Sequence, residues 1–160
     1  MKKILALMFC LILGMTFLSG CGDNATAQGL EGADWEPTTI ETANNTEEVT
    51  LTIKEGSVSA SGITVIFQNN SDKQYLYGEY MWLEKRVNDE WKQVPAVIEN
   101  YGFQDIAYIL EPNESKEMQI DWEWLHGALG SGDYRLIKDV FPAEAEEYNP
   151  YYLAVEFTIE

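Results

Sequence analysis

From Val49 onward the apolar residues of this chain recur at every second position, and that alternation decides what the chain can build. In "VTLTI", Val49, Leu51 and Ile53 share one face. In "GITVIFQNN", Ile63, Val65 and Phe67 do the same before Asn69-Asn70-Ser71-Asp72 ends the run. Side chains of an extended strand point alternately to its two faces, so a period of two gives one face to a core and the other to solvent. "SKEMQIDWEW" sets Met118, Ile120, Trp122 and Trp124 against Glu117, Gln119, Asp121 and Glu123. "YGEYMWLEKRV" and "EWKQV" flank Asn88-Asp89, a hairpin signal, and "GDYRLIKDV" and "YYLAVEFTI" complete the set. Turn residues return about every ten positions, and neither a helical period nor an internal repeat intervenes. These features predict an all-β fold over residues 49–160: an immunoglobulin-like β-sandwich of about seven strands, with a closed barrel as the structural rival.

The start of the chain follows a different grammar. In "MKKILALMFCLILGMTFLSGC", Lys2 and Lys3 precede an apolar run from Ile4 to Phe17. That run is shorter than the roughly 20 residues a helix needs to cross a bilayer, and a charged start with a short apolar centre describes an export signal. Leu18-Ser19-Gly20-Cys21 stands where an Ala-x-Ala cleavage site would be and resembles the lipobox of bacterial lipoproteins. The resemblance implies cleavage before Cys21, a diacylglycerol on its thiol, and residence on the outer face of the cell membrane. A disulfide at Cys21 would need Cys10, which lies inside the signal, and a thiol nucleophile would need a nearby histidine, of which the chain has only His126. Residues 1–20 are therefore read as a signal peptide. Residues 21–48 are read as the lipidated cysteine and a disordered acidic tether, being small, polar and acidic with little to bury. Trp35 is expected to be idle there, the other readings being that it docks on the domain or marks a short recognition segment.

Charge narrows the partners. The chain carries 27 acidic and 10 basic residues, a net charge of −17, and loss of Lys2 and Lys3 with the signal leaves 27 against 8, or −19. Such a field repels phosphate backbones, so nucleic acid is excluded as a partner. The chain lacks Gly-x-Ser-x-Gly, His-Glu-x-x-His, a phosphate loop and Cys-x-x-Cys, so neither an enzyme nor a cofactor is expected. No metal site is expected either. Asp139, Glu144, Glu146 and Glu147 are weak calcium candidates that lack the regular acidic spacing of a calcium loop. His126, among the glycines of "LHGALGSG", is expected to be exposed and without a ligand role. Tyr134, just after Gly132-Asp133, is placed for a tyrosine corner, a structural role, and Trp122 and Trp124 are expected in the core. If Met81 and Leu83 point inward, Tyr80 and Trp82 point outward and form a candidate binding face, unless a hairpin or loop covers them. The same register sends Glu79 inward toward Lys138 or Arg135, because a buried carboxylate needs a cation. Glu79→Ala is then expected to alter stability more than binding.

Several motifs taken together resemble the bacterial Ig-like domain of surface lipoproteins from Gram-positive bacteria. They are Asn69-Asn70-Ser71, Tyr77-Gly78-Glu79, Leu83-Glu84-Lys85, Trp91, Leu110-x-Pro112, Trp122-x-Trp124-Leu125-x-Gly127, Gly132-x-Tyr134-Arg135 with Lys138, and Phe157. The resemblance covers most of residues 49–160 and implies a sandwich in which these residues, Trp91 included, are structural. It implies no established reaction. The acidic loop "FPAEAEEYNP" departs from the family pattern. The expected function is a membrane-anchored, non-catalytic module that binds an envelope or extracellular partner. The alternatives are an accessory or sensor subunit of a membrane regulator or metallopeptidase-type system, and a weak calcium or carbohydrate binder.

Overall fold

The alternating runs pair into two antiparallel sheets in the computed structural model, which describes residues 34–160. In chain order the elements are β1 (Val49–Ile53), β2 (Gly62–Asn69), β3 (Tyr75–Tyr77), β4 (Trp82–Val87), β5 (Glu90–Gln93), β6 (Tyr108–Leu110), β7 (Ser115–Asp121), α1 (Glu123–His126), β8 (Gly132–Pro142) and β9 (Tyr151–Ile159). One sheet runs β1-β2-β7 and the other β5-β4-β8-β3-β6, with β9 also paired to β8. This is an all-β, immunoglobulin-like sandwich. It has nine strands rather than about seven. β6 is too short for its alternation to register, and the "YGEYMWLEKRV" region divides between two strands. Leu18, Ser19, Gly20 and Cys21 lie outside the described residues.

The core forms where the inward faces meet. Ile63, Val65 and Phe67 of β2 oppose Tyr134, Leu136 and Val140 of β8 and Leu153, Val155 and Phe157 of β9, all buried. Trp122 is fully buried and stacks on Phe157 with ring centroids 5.5 Å apart. Its Nε1 donates to Ala60 O at 2.8 Å, the partner a buried indole requires. Tyr134 stacks on the same phenylalanine, and its hydroxyl donates to Gly130 O at 2.9 Å. Buried Asn69 ties two turns together, donating from Nδ2 to Lys73 O (2.7 Å) and Glu111 O (3.0 Å) and accepting from Ser71 N (3.0 Å). Asn88 and Asp89 both take positive φ, 52° and 65°, as a two-residue type I′ hairpin turn between paired Val87 and Glu90 demands.

Residues 34–48 form a strap across the outer face of the larger sheet. Pro37 bridges to Lys92 on β5, where Thr38 N donates to Trp91 O (3.1 Å) and Gln93 N to Glu36 O (2.8 Å). At the opposite edge Asn44 N donates to Tyr152 O (2.7 Å), and the Asn44 side chain bonds both N and O of Ala154 on β9. Between these ends the strap crosses an ion pair. Arg135 Nε lies 2.6 Å from Glu84 Oε2, and Arg135 Nη2 donates to Thr38 Oγ1 at 2.9 Å. Trp91 sits on this outer face, with the guanidinium groups of Arg86 and Arg135 over its ring at 4.7 and 4.8 Å. The expectation of a disordered tether up to Glu48 with an idle Trp35 is therefore corrected for residues 34–48. Trp35 is 9% exposed and Ile40 is buried. Composition marks a segment that cannot build a core of its own. It does not record that two sheet edges with unpaired backbone groups await a partner.

Glu84 is fully buried, so removing its cation leaves an uncompensated charge. Arg135→Ala is expected to lower the free energy of unfolding by about 3–5 kcal/mol, measured by urea denaturation. A loss below about 1 kcal/mol, the range of an exposed pair, would contradict the burial argument.

Candidate functional site

The site begins at the break between β3 and β4. Both strands pair with β8, but Leu76 lies opposite Phe141 and Trp82 opposite Ile137, so residues 77–81 face only 138–140. Five residues against three leave two in excess, and the chain bulges. A bulge breaks the ladder and turns carbonyls toward the interior, where each needs a donor. Lys138, fully buried on the core face of β8, supplies it. Its Nζ donates to Gly78 O at 2.6 Å and to Tyr80 O. Burial pushes the Lys138 pKa down to about 8, against the smaller opposing pull of Asp139 and Glu79. On its other side the bulge packs against the β5–β6 loop, where a Cβ on Gly78 would sit 3.3 Å from Ile106 O.

The bulge also corrects the expectation for Glu79. Its carboxylate is half-buried and accepts from the Tyr108 hydroxyl; among the described residues it forms no ion pair with Lys138 or Arg135. The buried carboxylate is Glu84, on the outer face of β4 under the strap. Its signal in the sequence was its shared face with Trp82. Alternation alone assigns that outer face to solvent, so it does not mark Glu84 as buried.

Met81 and Leu83 are buried, while Tyr80 is 44% exposed and Trp82 half-buried on the outer side. From Tyr152 on β9, ring contacts run to Trp82 (5.4 Å between centroids), Tyr80 (4.6 Å), Phe103 (5.0 Å) and Trp124 (5.6 Å). Tyr101 lies 6.4 Å from both Phe103 and Trp124. Four elements far apart in sequence thus build one aromatic surface. Trp124 belongs to it and not to the core, being 44% exposed, which corrects the expectation from alternation. The strand ends at Asp121 and the chain turns into α1, so the period of two fails after Trp122. Trp124 Nε1 then donates back to Asp121 O at 3.0 Å.

His126 is also corrected, from exposed to buried. The α1 turn carries it beneath the β5–β6 loop, where Nδ1 lies 3.1 Å from Pro95 O and so bears the proton. Burial holds its pKa below the ordinary value, so the neutral ring favours the fold and stability is lost as pH falls through the range where the unfolded imidazole takes up its proton first. With Val97 N donating to Leu125 O at 2.8 Å, this bond anchors a loop whose Val97, Ile98, Tyr101 and Ile106 stay exposed. In the acidic loop, Glu144, Glu146 and Glu147 are exposed and Asp139 accepts from the Tyr148 hydroxyl at 2.6 Å. Among the described residues, no three of His, Cys, Asp and Glu converge to hold a metal ion. No helix among them is long and apolar enough to cross a membrane.

The family model for the bacterial Ig-like domain matches residues 24–158, and the chain belongs to that family. The matched span begins well before Val49 and includes the strap. No curated protein matches the chain.

The pKa of Lys138 falls from 10.5 to about 8 on folding. Between those values the unfolded chain holds a proton that the folded chain has released, so stability rises with pH across that window, and below it the penalty is fully present. Tyr77 and Tyr134, raised from 10.0 to about 12, act in the opposite sense and remove stability as pH climbs above 10.0. Relative to Lys138→Met, the wild-type chain is expected to gain unfolding free energy as pH rises above about 8, by at most about 1.4 kcal/mol per pH unit. Parallel pH profiles of the two proteins would show that the ammonium is not desolvated.

Proposed function

We propose that this bacterial Ig-like domain is a non-catalytic binding module, moored through a lipidated Cys21 to the outer face of a Gram-positive cell membrane. It holds an extracytoplasmic partner on the aromatic face around Tyr80 and Trp82. The observation that carries this reading is the six-ring surface of Tyr80, Trp82, Tyr101, Phe103, Trp124 and Tyr152 on the outside of the larger sheet, beside the part that the strap crosses. Large exposed apolar patches mark interaction sites, and tyrosine and tryptophan dominate binding energies because they bury much area at little entropic cost. The export signal and lipobox of the sequence support the location.

Chemical cross-linking on intact cells tests both halves. The wild-type protein is expected in the membrane fraction with a cross-linked adduct, and Cys21→Ala is expected in the medium. Tyr80→Ala/Tyr101→Ala, altering two exposed side chains, is expected to stay at the membrane without the adduct. Membrane retention of Cys21→Ala would refute the anchor, and an undiminished adduct in the double variant would refute the face.

A further inference from the structure

We infer that the groove between the bulge and the β5–β6 loop receives a cationic side chain, the ammonium or guanidinium group of a basic polypeptide segment of the partner. This rests on the aromatic surface being the binding face and specifies its chemistry. The groove is lined by Glu79, Tyr80, Tyr101, Phe103, Asp105 and Ile106, three aromatic rings and two carboxylates with no cation among them. Ring faces carry partial negative charge and attract ammonium and guanidinium groups.

The ring angles separate a cation from a sugar. Tyr80 and Phe103 meet at 67°, Tyr101 and Phe103 at 90°, and Phe103 and Trp124 at 73°. Rings set edge to face give walls that enclose a compact charge and offer no shared plane on which a pyranose would lie. The surroundings agree. Between Lys92 and Lys116 the chain has neither lysine nor arginine, while Glu99 and Asp105 lie on the loop and Asp121 and Glu123 precede Trp124. The Lys116 Nζ is engaged by Ile109 O at 2.9 Å, and Lys138 directs its charge inward onto the carbonyls of the bulge. A second copy docked face to face through the same groove would bring like charge and no cation for its carboxylates. An anionic lipid surface would be repelled by the same rim.

The test is titration of the full chain, in neutral detergent, with hexalysine, hexaarginine, acetylated hexalysine and a neutral chito-oligosaccharide, followed by tryptophan fluorescence. Both cationic peptides are expected to bind and the acetylated peptide and the sugar not to. Tyr101→Ala leaves the net charge unchanged and alters an exposed ring (46% exposed), and is expected to weaken cationic binding about fivefold. Glu79→Gln/Asp105→Asn is expected to weaken it at least as much. Equal binding by Tyr101→Ala would mean that the peptides sense only the diffuse field of an acidic protein, and would overturn the inference. So would failure of both cationic peptides to bind, or binding of the sugar in their place. Those results leave the aromatic face standing, whereas an undiminished adduct on cells with Tyr80→Ala/Tyr101→Ala removes the face itself.

Discussion

The carbonyls of Gly78 and Tyr80 turn toward the interior of the sandwich, and the ammonium of Lys138 answers both. That interaction permits the two-residue excess between β3 and β4. Without a donor, each buried carbonyl would cost about 1–3 kcal/mol, and the strand would be driven back toward regular pairing. With it, Tyr80 leaves the ladder and stands beside Trp82 and against Phe103. A lysine on the core face of a strand is expensive to bury, as its depressed pKa records. What it sustains is an irregularity at the place where the outer surface becomes aromatic.

The strap divides the same surface. Its backbone meets β5 at Pro37 and β9 at Asn44, so two edges that would otherwise invite pairing with other chains are occupied. Under it the Glu84–Arg135 pair is closed from solvent, and Ile137, on the outer face of β8, is fully buried. The larger sheet therefore has a covered half, held by ions and backbone bonds, and an aromatic half built from β4, β9, the β5–β6 loop and α1. His126 and Leu125 join the halves of that construction by fastening the loop to the helical turn.

Much of this was legible in the alternation. The inward sets of β1, β2, β8 and β9 could be read directly, as could buried Trp122, because strands packed on one face repeat every two residues. Reading failed where local period and tertiary path part company. "DWEW" continues a strand pattern through residues that form a helical turn, so alternation places Trp124 in the core. Alternation gives Glu79 the role that Glu84 holds, because a bulge shifts register and leaves hydropathy untouched. A lone glycine inside a strand pattern is the signal for such a bulge, and Gly78 carried it. Trp35 and Ile40 are single apolar residues in an acidic segment, and their burial depends on sheet edges that no local window contains.

The most direct test of the central interaction is amide hydrogen exchange in the wild-type chain and in Lys138→Met under native conditions. If the ammonium holds the bulge, exchange quickens in β3 and β4, which pair on either side of it, and in the β5–β6 loop that packs on it, while β1, β2 and β7 keep their protection. Unchanged protection in β3 and β4 would contradict the account, since the bulge would then stand without the lysine that is said to hold it.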